Sequence, residues 1–517
     1  MQQIELARAT LKCRFASGWS GARVDIRDEG RNCIVIGGGL AGVTAALALA
    51  DGGHAIILLE ASGSLGGRVR SVTDPASGRK FDNCQHAAFR VYGRFLQFMS
   101  RIDARSSLRI QQRTHLPFID PSDGRIGVLR TGRLSPPNHM FESMLRFPFL
   151  SLSDKIGMRR VIKALNRMSE QERWALDDVK FTDWLLQQRQ SEAAINRFWG
   201  YFTLAALNLP ASEASTTQAA FLFKEGLFGA ADAFDVACFT RDLSLAIGTP
   251  ALAALKATGI DVRLNTSCRD LLFDSGRCVG VSTKAGDLLA DSVILATPHG
   301  RTARLLSSAR GAPASSAAVS GRLSQLGTRS LIGLHALHAE PITPPGFTFA
   351  AVIDEPVIQM VFDRNSELDP AEWIDGHQWI SVPVSAAEPW LDWSDDRLRA
   401  EYMRVIRQLW PDAGEPASFH VIKNRRATFA PTTGQHSLRP ATTDAAPGLY
   451  LAGSYVATDW PSTMESAVRS GMDSAAAVLA EAGDEAFSGW SNRNDWPTWS
   501  APPRRHDEAW LAWQPNG

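Results

Sequence analysis

Residues 81–93 read FDNCQHAAFRVYG. They place an acid (Asp82), two amides (Asn83 and Gln85), a thiol (Cys84), a histidine (His86) and three aromatics in one short span. An imidazole moves protons near neutral pH, and a neighbouring amide can orient a hydroxyl. Such a set can line an active site. The plainer alternative is a polar turn whose histidine bonds backbone and fixes a loop. Upstream, Gly37, Gly39 and Gly42 form G-x-G-x-x-G. The first glycine of that spacing allows a tight turn, the second lets backbone approach a pyrophosphate, and the third lets a helix pack on a strand.

These residues need elements to hold them. Cys33–Ile36 is a short apolar run, as a strand buried on both faces requires. An alanine-rich helix opens at Leu40 and Ala41, and a second apolar run, Ala55–Leu59, ends at Glu60 and Ala61. This is one βαβ unit. The helix start offers unpaired N–H groups to phosphate, and Glu60 stands where a carboxylate accepts ribose hydroxyls. The unit predicts dinucleotide binding; the alternative is a glycine-rich turn without a ligand.

The whole chain has 517 residues, too many for a single core, and 54 basic against 54 acidic residues. A net charge of zero gives no reason to expect nucleic acid. Six scattered cysteines have neither CxxC nor zinc spacing, so no metal is expected and the thiols read as reduced. Without a long apolar run or a signal-like start, the expected location is cytoplasmic, with a peripheral place on the inner face of the membrane as an extension of that reading.

Further strands are expected over 259–298, at 448–454 and within 321–440, with helices over Asp395–Leu409 and from about Thr463 to Leu479. The block 96–240 reads as helical. Nucleotide-binding pieces are thus interleaved with other segments. The expected layout is an N-terminal extension (1–31), three nucleotide-domain parts (32–95, 241–300 and 441–485), a helical substrate or membrane-facing part (96–240), a sheet-and-helix substrate domain (301–440) and a tail with five tryptophans (486–517). The tail shows neither helical nor strand period and reads as an extended segment lying across the body or a membrane surface, with disorder as the alternative.

The sequence LGGRVRS (65–71), with Gly66, Gly67 and Arg68, resembles the second fingerprint of the glutathione-reductase-type flavoproteins of the amine oxidase and carotenoid desaturase superfamily. GLYLAGSYVATDWPSTMESAVRSG (448–471) resembles the C-terminal piece of that fingerprint set, with Ser454 where the superfamily has an aspartate. The resemblance implies an α/β fold: a Rossmann FAD-binding domain with an interleaved α+β substrate domain. It implies FAD, contacted by the residues above, by backbone near Cys268, by Gly453 and Ser454 at the ribityl chain, and by Thr463, Met464 and Glu465 at the flavin pyrimidine. A helix dipole there would stabilise negative charge on reduced flavin.

The Gln-His block at 81–102, the segment IKNRRATFAPTTGQHSLRP (422–440) and the helix that opens PSTME resemble one branch in particular, the squalene-associated desaturases, also read as hydroxysqualene dehydroxylases. That likeness spans roughly residues 32–480, with Cys84 in place of a usual glycine and Gly200–Phe202 in place of Glu-Pro-Leu. It implies an isoprenoid substrate and reductive loss of an allylic hydroxyl. His86 is then the expected general acid, Gln85 the group that orients the hydroxyl, and Glu465 a second acid whose other role is a helix cap. Oxidative carotenoid desaturation and amine oxidation, with Tyr455 and Trp460 as a cage, are the alternatives in the same fold.

An isoprenoid needs an apolar tunnel. Phe141, Phe147, Phe149, Phe198, Trp199 and Phe202 are candidates for its wall, with core packing the preferred reading for each. Residues 139–167 join apolar and basic side chains and suit either an anionic membrane surface or a solvated helix face. Nothing in the sequence sets the oligomeric state.

Overall fold

The computed structural model describes residues 31–484 apart from 76 and 375, together with 487, 489, 490 and the backbone of 498 and 499. The extension before residue 31 and most of the tryptophan-rich tail lie outside the described residues.

Five parallel strands form the first sheet, in the order Asp261–Arg263, Ala55–Leu59, Asn32–Ile36, Ser292–Leu295, Leu449–Leu451. Their side chains alternate between two cores. Cys33 and Val35 pack with the helices Leu40–Asp51 and Met464–Ala482. Ile34 and Ile36 pack with Leu305 of the helix His299–Ser308 and with Leu271 and Val281 of an antiparallel three-stranded sheet. Burial on both faces explains why these strands are continuous runs of Ile, Leu and Val.

A seven-stranded sheet forms the second body. Its order is Ser418–Phe429, Thr328–His338, Gln378–Ser385, Met360–Asp363, Phe349–Val352, His115–Ile119, Ile126–Arg130. The helix Asp395–Leu409 covers one face through Leu398, Val405 and Ile406. The helical block 141–227 packs on the other, through Phe147, Phe198 and Trp199.

The block 96–240 differs from its helical expectation. It carries the strands Leu108–Gln111, His115–Ile119, Ile126–Arg130 and Val236–Phe239. Each is only four or five residues long, too short for its period to separate strand from helix. Two pieces of the tail fall among the described residues. Thr498–Trp499 pairs in parallel with Ile110 and Gln111, and Trp490 Nε1 donates to Asp51 (2.8 Å), so these residues lie on the body of the protein. Among the described residues no helix is long and apolar enough to cross a membrane.

Candidate functional site

The two glycine turns meet at the carboxyl ends of the strands. Gly39 and Gly66 form a parallel bridge, and Gly66 N donates to Gly38 O (2.9 Å). A Cβ on Gly42 would stand 1.9 Å from Gly37 O, so the helix can seat on the turn only without a side chain there. Gly42 accordingly packs behind the turn rather than facing the cavity. Gly67 holds φ +62, and its Cα side lies against Gly39.

A cavity of about 950 Å³ passes these turns and continues against the seven-stranded sheet. Gly37, Gly39, Leu40, Ala41, Glu60, Ala61, Gly66, Gly67, Arg68, Cys268, Gly453, Ser454, Thr463 and Met464 all line it. Glu60 accepts from Gly38 N (2.6 Å), Ser62 N (2.7 Å) and Ser62 Oγ (2.8 Å), which fixes the carboxylate while leaving lone pairs for a ribose. Arg68 faces the cavity and donates to Ala427 O (2.7 Å) and Ser454 Oγ (2.9 Å). Desolvation by the surrounding protein lowers its pKa. Neither acceptor carries charge, so the guanidinium keeps a full positive charge for a phosphate. An aspartate at 454 would cancel it; the serine hydroxyl does not.

Five arginines line the cavity, at 68, 70, 301, 304 and 426, against one acid, Glu60. The helix Met464–Ala482 points its N-terminus into the same space. Thr463 caps it by accepting from Ser466 N (3.2 Å), and Met464 and Ala467 line the wall. A glycine cradle, surplus positive charge and a helix N-terminus together fit a dinucleotide with a pyrophosphate. Cys268 contributes backbone: its carbonyl accepts from Arg301 Nη2 (2.6 Å), while burial pushes its thiol up to about 12.

The 81–86 loop is held from several sides. Asn83 Nδ2 donates to Arg68 O (2.6 Å), Asn424 Nδ2 to Asn83 O (2.7 Å) and His335 Nε2 to Asp82 O (2.8 Å). His335 is fully buried, and desolvation pushes its pKa down to about 3, so it donates as a neutral ring. Asn83, Cys84, Gln85 and His86 line the cavity, which makes the segment a wall rather than a remote turn.

His86 Nδ1 lies 2.8 Å from Cys84 O. A carbonyl only accepts, so Nδ1 carries the hydrogen and Nε2 is left to face the cavity. Burial lowers the pKa of His86, with Arg68 and Arg364 adding to the effect and the Cys84 bond and Asp82 opposing it. The ring is therefore mostly neutral at pH 7, with a lone pair on Nε2. A general-acid role therefore requires Nε2 to take up a proton first.

Gln85 Nε2 donates to Glu367 Oε2 (3.0 Å). Glu367 pairs with Arg364, and Arg364 Nη2 reaches Asp82 Oδ2 (3.1 Å). All three charged side chains are buried, and desolvation raises the pKa of both carboxyls against the pull of Arg364. This chain fixes the Gln85 amide and turns its oxygen free. Sequence reading missed Glu367 and Arg364. Their one signal was the DRN segment at 363–365, which a linear pattern cannot pair with Asp82.

Glu465 is a correction. Its carboxylate is fully buried, outside the cavity lining, and accepts from Phe95 N (2.7 Å), Arg94 N (3.2 Å) and Arg469 Nε (2.6 Å). It caps the helix Gly93–Arg101 instead of touching a ligand. Of the proposed tunnel aromatics, Phe202 lines the cavity; Phe147, Phe149, Phe198 and Trp199 fill the core, and Phe141 is exposed. Phe118, Tyr201, Phe349 and Met360 complete the apolar wall. Tyr455 bonds Thr302 Oγ1 (3.1 Å), whereas Trp460 packs on Tyr92 and Phe221, so the two rings do not face one another as a cage.

Comparison with known proteins identifies the family and the fold. The family model described as flavin containing amine oxidoreductase matches residues 40–479. A hydroxysqualene dehydroxylase of Rhodopseudomonas palustris is 27% identical, over 86% of this chain and 98% of its own length. A zeta-carotene desaturase of Arabidopsis thaliana is 23% identical, over 87% and 85%. Among solved structures, a putrescine oxidase with putrescine bound superposes with a TM-score of 0.65 at 20% identity, covering 87% of this chain and 99% of its own. An oxidoreductase from Methanosarcina mazei gives 0.67 at 18% identity, covering 87% and 100%. These structures share the fold.

Proposed function

The chain belongs to the flavin containing amine oxidoreductase family and is an FAD-dependent oxidoreductase, and on that premise we propose that it removes the allylic hydroxyl of hydroxysqualene to give squalene. One observation carries the reading: the apolar wall and the dinucleotide cradle belong to a single cavity, with Gln85 and His86 among its lining. The dehydroxylase relatives, which align over nearly their full length, support the same substrate.

FAD, when bound and reduced, supplies a hydride to the carbon that loses oxygen. The protein supplies the rest. Its apolar wall excludes water and takes up the hydrocarbon. Gln85, held by Glu367, offers its oxygen to the substrate hydroxyl. His86, fixed through Nδ1, holds a proton on Nε2 and gives it to the departing hydroxide, which leaves as water. A C–O bond breaks, a C–H bond forms, and the imidazole ends neutral.

The neutral state of His86 also suits a base. That favours one second reading, oxidative desaturation of an isoprenoid, in which Nε2 accepts a proton. The deciding experiment is an anaerobic incubation of the flavin-loaded protein, reduced with dithionite, with hydroxysqualene. Squalene is the expected product. Its absence, with new conjugated-polyene absorbance when oxidised enzyme meets phytoene-type substrates, would replace the first reading by the second.

A further inference from the structure

The helices Phe141–Arg146 and Leu152–Arg167 expose side chains that a water-facing surface has no use for. Phe141 and Leu145 are 45% and 46% exposed; Leu152 and Ile156 are 66% and 60% exposed. Each pair is spaced i, i+4 and so shares one helix face. On the longer helix the exposed stripe continues through Arg159, Arg160, Lys163 and Arg167. Among the described residues none of these four cations has a carboxylate partner. Lys155 Nζ donates to Leu145 O (2.9 Å), which ties the two helices side by side.

The charge is local. Residues 141–167 hold six basic and two acidic side chains, in a chain whose net charge is zero. One of the acids, Asp154, is engaged by Ser151 at the helix cap and by Ser191 Oγ (2.6 Å). Between the helices, Phe147 turns inward and meets Phe118 edge-on at 5.1 Å, and Phe118 lines the cavity. The exposed face therefore lies one ring outside the apolar wall.

We propose that this two-helix face docks on the surface of an anionic lipid bilayer, with Leu152, Ile156, Phe141 and Leu145 entering the acyl boundary and the basic stripe meeting headgroup phosphates. Apolar side chains beside unpaired cations complement that surface on both counts. The proposal rests on exposure and charge and does not depend on which isoprenoid the enzyme takes. It does explain how a substrate dissolved in lipid could reach a wall one ring away.

The test is vesicle flotation of the flavin-loaded protein. The probes are phosphatidylcholine vesicles and vesicles with three parts in ten phosphatidylglycerol. Binding to the anionic vesicles is expected, with little to the neutral ones and release at 1 M salt. R159E/R160E/K163E should weaken the partition on the order of 100-fold, from the loss of three surface cations. L152S/I156S should weaken it independently. Both variants should keep the wild-type flavin spectrum, because no altered residue touches the cavity. Equal binding to both vesicle types, no binding, or variants that bind like wild type would overturn the proposal. So would a dimer that L152S/I156S converts to monomer without a change in lipid binding, since the face would then belong to a second copy of the chain.

Discussion

His86 and Gln85 each have one end tied to protein and one end left for a ligand. Cys84 O fixes the tautomer of the imidazole, and Glu367 fixes the rotamer of the amide. Each side chain thereby presents a single chemical face. For His86 the consequence is a pH dependence with a definite sign. Its pKa in the folded protein lies below the ordinary value of 6.5, mainly through desolvation. As a proton donor it is active only in the protonated fraction, which grows as pH falls. Dehydroxylation in single turnovers of prereduced enzyme should therefore accelerate from pH 8 to pH 6 without reaching a plateau. In His86→Asn the profile should be flat and slow. A rate that rises with pH instead would assign Nε2 as a base and favour the oxidative reading. For the reaction Gln85 contributes one neutral hydrogen bond to substrate, while its bond to Glu367 belongs to the fold. Gln85→Leu should lower kcat/KM roughly tenfold, with the flavin spectrum unchanged.

At the scale of elements, the site depends on turns that close only with glycine. The helix Leu40–Asp51 approaches the first turn so closely that Gly42 has no room for Cβ. Gly42→Ala should push the helix off the turn and open the phosphate cradle. The variant is expected to purify with little or no flavin, as read from the absorbance ratio of flavin to protein. Gly321 offers the control. It lies within the helix Ala314–Gln325, and a methyl group placed on its Cα would meet nothing within 4 Å. Gly321→Ala should retain flavin and gain up to about 1 kcal/mol from helix propensity. The turn was legible in the sequence because strand, glycines and helix are contiguous there. Glu60 was legible for the same reason. Glu465 was misread because its partners, the N–H groups of Arg94 and Phe95, lie far away in sequence and meet it only through helix packing. The strands within 96–240 were missed because each is short and embedded between helices, where apolar periodicity cannot tell the two apart. The buried link from Asp82 through Arg364 to Glu367 joins residues from two distant segments, and no spacing rule reaches across that gap.

At the scale of the whole molecule, the chain enters the first sheet three times. The strands at 32–36 and 55–59, then 261–263 and 292–295, then 449–451 belong to one body, and the strands at 115–119 and 126–130, then those from 328 to 385 and at 418–429, form the sheet of the other. The cavity takes its walls from both. Protein contacts across this junction include the bonds of Asn424 and His335 to the 81–86 loop. A bound dinucleotide adds contacts that the unfolded chain cannot make, so it stabilises by mass action. FAD at a hundred times its dissociation constant should contribute about 2.7 kcal/mol. Because the cavity that would hold the cofactor takes its walls from both bodies, that stabilisation should fall on the junction as well as on the Rossmann sheet. Flavin-free protein is thus expected to melt at a lower temperature and in two resolved steps, the junction loosening first. Stepwise addition of FAD should merge the steps and raise the midpoint with the logarithm of FAD concentration. AMP, which can occupy only the cradle, should raise the midpoint of the Rossmann step and leave the two steps separate. If AMP merges them as FAD does, the cavity's two ends are not coupled through the flavin, and the route from cradle to apolar wall must run through protein alone.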